Sequence, residues 1–297
     1  MGQFLLLAFA ISWTVAGLLY LIGIDLATIQ GRLFGVIGIM WGPALSAIIV
    51  QRWSGGSIRS RCGLTVGKLR WVAIAWLAPA GLIPLAIGIG ILIPGVTVAS
   101  DLAAQLLALG LTEAQAQEAV EQLEAVPLPV LSILLLQGLA AGLTINAVAA
   151  LGEELGWRGL LLAELAPLGF WNVSALTGVI WGIWHAPVIL QGHNFPEQPI
   201  LGILVMTIAT IVLSPIYTYL TVRAGTVIAP TLLHGSFNGV GSVTLIYLVG
   251  AGALVTAPVG LVGILAAVVG VGICLAHDRM VADTPITTGE PLSPWAS

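Results

Sequence analysis

Stretches of about twenty residues without a single charge recur along this chain, and nothing else limits its fold as severely. A run of that length is what an α-helix needs to cross the roughly 30 Å hydrocarbon layer of a bilayer. About eight candidate spans can be marked, near 4–23, 33–51, 71–94, 128–150, 171–191, 199–221, 226–249 and 254–276. Charged residues make up only 7% of the 297 positions and apolar ones 58%, and the mean hydropathy is +1.07. These values exclude an ordinary soluble globule, and no basic patch suited to nucleic acid is present. The expected fold class is all-α: a polytopic membrane helical bundle of about eight transmembrane helices, forming one domain over residues 1–277 with the lipid bilayer as its partner.

Orientation follows from the positive charges. Arg52, Arg59, Arg61, Lys68 and Arg70 crowd the connection after the second span, which marks that connection as cytoplasmic. Counting spans outward puts Arg158, Arg223 and Arg279 on the same side, leaves only Arg32 across the membrane, and makes both termini cytoplasmic. On the far side lies one sizeable connector, 95–127, with Asp101, Glu113, Glu118, Glu121 and Glu124 and no Lys or Arg. Thr112 and Gln115 have the spacing of a capping box there. The tail 278–297, rich in Pro, Thr and Ser, is expected to be disordered. Cys62 and Cys274 have no metal-type spacing. The first span lacks the basic lead-in of a cleavable signal, and the expected location is the plasma membrane of a prokaryote.

Against this apolar background, Gly152-Glu-Glu-Leu-Gly-Trp-Arg158 is costly, because ionised groups beside a membrane span must pair or face a cavity. On a helix Glu154 and Arg158 stand at i,i+4 and pair on one face. Glu153 points about 100° away and has no local partner. This spacing assigns a structural task to Glu154 and Arg158 and a chemical one to Glu153.

A few further polar groups interrupt the spans. His185 ends Trp181-Gly-Ile-Trp-His, and His234 and Asn238 lie one turn apart in His-Gly-Ser-Phe-Asn. Asn146 stands seven residues before Glu153, on the same helical face. Each alone can be a strut between helices; His193 and His277 read as bland. Together, a glutamate, two histidines and an asparagine on separate apolar helices meet only in a buried polar cavity. There a glutamate can take a proton from water and an asparagine amide can donate to an oxyanion. That set suits amide hydrolysis by activated water, and no serine or cysteine is spaced as a covalent nucleophile. Asn146, Trp157 and Trp181 are candidates to line the pocket.

Glu-Glu-x-x-x-Arg at 153–158, Trp-x-x-x-His at 181–185 and His-x-x-x-Asn at 234–238 resemble, in order, the three motifs of the CPBP family. These are the CAAX-protease and bacteriocin-processing intramembrane endopeptidases, and the resemblance covers about 128–249. It implies an eight-helix bundle, an active site reached from the cytosol and membrane, and a membrane-associated or prenylated peptide substrate. It makes Glu153 the general base, His185 its partner on the water, and His234 and Asn238 the oxyanion donors, with Glu154 and Arg158 supporting the helix. Trp181 stands where phenylalanine is commoner, and Ile189 where members that cut CAAX proteins often have asparagine. A Zn2+ ion held by Glu153, His185 and His234 is the alternative to a glutamate-activated water without obligatory metal. Two other functions stay open: a non-catalytic membrane scaffold, chaperone or immunity-type protein of the same fold, and a proton-coupled transporter.

Overall fold

The computed structural model describes residues 1–24, 35 and 38–295. Helix α1, Gly2–Leu21, is followed by α2, Gly42–Trp53, and α3, Leu69–Gly90. The connector carries α4, Leu102–Ala108, and α5, Glu113–Glu124. Then come α6, Val130–Gly142, α7, Ile145–Glu154, α8, Phe170–Trp184, α9, Pro199–Ala224, α10, Ile228–Val240, and α11, Leu261–Met280. The chain is an all-α membrane bundle. Among the described residues, five helical segments are each long and apolar enough to cross a bilayer: Gly2–Leu21, Leu69–Gly90, Phe170–Leu190, Pro199–Ala224 and Ala253–Met280. A sixth is a broken one, because α6 and the helical stretch Ile145–Leu168 meet at 57°. Leu6, Leu18, Leu204, Val268 and Ile273 are exposed on these helices, which is the outer surface a lipid environment requires.

Two expected spans look different. The one near 33–51 lies partly outside the described residues, as does Arg32, and its described part is the short α2. The one near 226–249 is divided into α10 and a second helix, Ser242–Tyr247.

The helix ends sort into two faces. On one, Thr97–Val98 pairs antiparallel with Leu248–Val249, and α4 and α5 rest their apolar sides on Ile246, Tyr247 and Leu134. The capping box at Thr112 and Gln115 forms as expected. On the other, Lys68 N–H donates to the Ala224 carbonyl at 2.8 Å and Val227 N–H to that of Gly63 at 2.9 Å. Arg61 pairs with Glu164 there at 2.6 Å.

The terminal segment, expected to be disordered, folds back against this second face. Buried Asp278 pairs with Arg223 and accepts from the Ile286 and Thr287 amides. Further along, Leu292 N–H donates to the Ala166 carbonyl and the Trp295 indole to that of Arg61. A carboxylate with several donors can anchor a Pro- and Ser-rich segment that has little apolar surface of its own.

Close backbone approach fixes the helices that matter for chemistry. A Cβ on Gly239 of α10 would lie 2.2 Å from the Gly138 carbonyl oxygen of α6, so these backbones touch, as small residues permit in membrane bundles. Gly152 and Gly156 likewise press the Glu153 segment onto Met40 and Pro43, where a Cβ would stand 2.7 and 2.5 Å from their atoms.

Candidate active site

Glu153 and Glu154 close α7, and the next residues, Leu155–Leu161, wind as a wider π-helical segment. Such segments are rare and cluster at functional sites. Both carboxylates are buried, at 2% and 0% exposure, and Arg158 at 1%. Burial at this level demands partners. Arg158 Nη1 donates to both Glu154 oxygens at 3.0 and 3.2 Å, and Nη2 donates to Ser214 Oγ at 3.2 Å. Its guanidinium lies 4.2 Å from the centre of the Trp181 ring and 4.3 Å from that of Tyr217, the stacked geometry that suits a buried arginine. The expected i,i+4 pair is therefore present, inside the bundle rather than at its surface.

Glu154 has a second partner that spacing along one helix could not reveal. His234 Nδ1 lies 2.8 Å from its Oε1. A carboxylate oxygen accepts, so Nδ1 carries a hydrogen. His185 is fixed in the same way, with Nδ1 donating to the Trp181 carbonyl at 2.7 Å. Glu153 receives the Trp181 indole N–H on Oε2 at 2.6 Å. One tryptophan thus holds the carboxylate with its side chain and the histidine with its backbone.

Glu153, His185, His234 and Asn238 all line one cavity of about 370 Å³. Glu153 follows the 57° bend between α6 and the helical stretch Ile145–Leu168. Asn146 and Trp181 also line the cavity, and Asn146 Nδ2 donates across to the Gly235 carbonyl at 3.2 Å. Trp157 does not line it. Its ring is wholly buried, edge-on to Phe4 and Trp184, because the π-helical segment turns it into the bundle. His193, expected to be bland, does line the cavity, with Asn194 beside it. Asn194 has φ of 59° and is the only described non-glycine residue in that region. Tyr217 also borders the site. The apolar run 199–221 holds two tyrosines, Tyr217 and Tyr219, and nothing in their spacing told which one faces the site. Ile189 is fully buried outside the cavity lining.

Among the described residues no three His, Cys, Asp or Glu side chains are placed to hold a metal ion. Both histidines commit Nδ1, and Glu153 commits Oε2, to protein partners. What the arrangement offers is a carboxylate with one free oxygen, two oriented imidazoles and an amide.

Residues 135–240, which hold all three motifs, match the family model for type II CAAX prenyl endopeptidase Rce1-like proteins. Comparison of the chain with curated proteins finds no match.

Proposed function

We propose that this chain, a member of the CAAX-protease family, is an intramembrane endopeptidase that hydrolyses a peptide bond with water activated by Glu153. The observation that carries the reading is the meeting of Glu153, His185, His234 and Asn238 on one buried cavity. Glu153 takes a proton from water on its free oxygen, and the hydroxide attacks the scissile carbonyl carbon. His185, with its Nδ1 hydrogen bound to Trp181, turns a lone pair on Nε2 toward that water and orients it. The tetrahedral oxyanion accepts from the Asn238 amide and from His234 Nε2–H. For His234 to donate there while Nδ1 is on Glu154, both ring nitrogens carry hydrogens, and the Glu154 carboxylate is the counter-charge. The intermediate collapses, the C–N bond breaks, and the leaving amine takes the proton that Glu153 holds. No step uses a metal.

The test is cleavage of farnesylated and unmodified peptides by the detergent-purified protein in 18O-water, read by mass spectrometry. The expected product carries one 18O in its new carboxyl terminus in a single turnover, with no acyl-protein adduct. A trapped acyl-protein intermediate would rule the direct-water reading out.

A further inference from the structure

Among the described residues, the cavity lining runs toward one of the two faces of the bundle, and the charges say which. Glu153, Tyr217 and His234 are among its lining residues. From there it follows the parts of each helix that lead toward the acidic connector. It continues past the end of α8 to His193 and Asn194, and past α10 to Ser242 and Leu245. Leu109 of the connector and Pro258, just before α11, complete that end. These pieces lie on one side by direct contact. Leu248–Val249 pairs with Thr97–Val98, and the helix Ser242–Tyr247 packs on α4.

Among the described residues, none from 52–68, 155–168, 224–227 or the terminal segment lines the cavity. Those residues build the opposite face. The hydrogen bonds from Lys68 to Ala224 and from Val227 to Gly63, with the Arg61–Glu164 pair, tie them together.

The two faces carry opposite charge. The face away from the cavity mouth has Arg52, Arg59, Arg61, Lys68, Arg70, Arg223 and Arg279. On the mouth side the described residues include Asp101, Glu113, Glu118, Glu121, Glu124 and Glu197 and no Lys or Arg. Basic residues in short connections remain cytoplasmic during insertion. The mouth is therefore extracytoplasmic, the reverse of the cytosolic access that the motif resemblance implies.

We infer that the site is served from the extracytoplasmic side, and that its substrate is a peptide segment presented there rather than a cytosolic protein. The inference names the substrate class of the endopeptidase proposed above and rests on that reading. At this end Leu109, Leu245 and Pro258 stand beside His193, Asn194 and Ser242, so an arriving segment meets both apolar and polar wall.

The experiment is labelling with a membrane-impermeant thiol reagent in right-side-out and inverted vesicles. Single cysteines are placed in the full chain with Cys62 and Cys274 replaced by alanine. Ser242→Cys reports the cavity, Glu118→Cys the connector and Arg59→Cys the basic connection. The expected result is that Ser242→Cys and Glu118→Cys react from outside only and Arg59→Cys from inside only. Ser242→Cys reacting from inside, from both sides or from neither overturns the inference, as does Arg59→Cys reacting from outside. The labels report sidedness without turnover, so this result is separable from failure of the hydrolase reading, which the inactivity or activity of Glu153→Gln decides.

Discussion

The indole N–H of Trp181 donates to Glu153 Oε2 at 2.6 Å, while the carbonyl of the same residue accepts from His185 Nδ1 at 2.7 Å. Trp181 is itself buried: it is 4% exposed and stacked under the Arg158 guanidinium. A hydrogen bond to a charged group contributes about 1.5–3 kcal/mol, and here it sets which carboxylate oxygen faces the water. Trp181→Phe keeps the ring and removes the donor. Steady-state kinetics should show kcat reduced roughly tenfold with KM unchanged, the pattern of an interaction that acts on the transition state. A raised KM with normal kcat would mean that Trp181 only shapes the pocket.

Glu154 joins two elements, since its carboxylate takes Arg158 from its own helix and His234 from α10. Removing one partner of a buried ion pair leaves an uncompensated charge and costs about 3–5 kcal/mol. Glu154→Gln should therefore unfold at a much lower detergent-denaturant midpoint than wild type. An unchanged midpoint would mean that the pair contributes nothing to the fold.

The contact of α6 with α10 makes a third prediction. A methyl group on Gly239 would meet the Gly138 carbonyl oxygen at 2.2 Å, and that atom is backbone. Gly239→Ala must push α10 away, at about 1–3 kcal/mol for an overpacked core. Because His234 and Asn238 ride on α10, cleavage should fall as well. Gly272→Ala on α11, where nothing lies within 4 Å, serves as control and should leave both thermal unfolding and turnover at wild-type values.

Cys62 gives the chain a pH dependence away from the site. It lies on the connection between α2 and α3, is fully buried, and burial pushes its thiol up to about 12 from an ordinary 9.0, slightly opposed by the Arg61 charge. The folded state then holds its proton more tightly than the unfolded chain does. Stability from this group is complete below about pH 9 and is lost as pH rises toward 12. Thermal unfolding between pH 8 and 10.5 should show a falling midpoint that Cys62→Ala flattens. Equal slopes in the two proteins would remove Cys62 as the cause.

Much of this is legible in the sequence. Uncharged runs announce helices because a bilayer accepts little else, and Glu154 with Arg158 announces a pair because four residues make one turn. The rest depended on geometry that hydropathy does not encode. No proline marks the break at Leu143–Thr144, so 128–150 reads as one span although α6 and α7 meet at 57°. The π-helical segment carries no residue signature, and it turns Trp157 into the bundle instead of the cavity. The bonds of Trp181 to Glu153 and of His234 to Glu154 join residues 28 and 80 positions apart, beyond the reach of helical spacing. The disorder expected of the tail came from composition alone, which is blind to the buried Asp278 that anchors it.

The central claim is that Glu153 activates the water, and one comparison tests it most directly. Wild type and Glu153→Gln are assayed side by side on the same peptide, with and without chelator, after matching their unfolding midpoints. Removing a positioned general base costs about 10²–10⁴-fold in rate. The account predicts a loss of that size in Glu153→Gln, at unchanged peptide binding, and no effect of chelator on wild type. Equal turnover by the two proteins would contradict it.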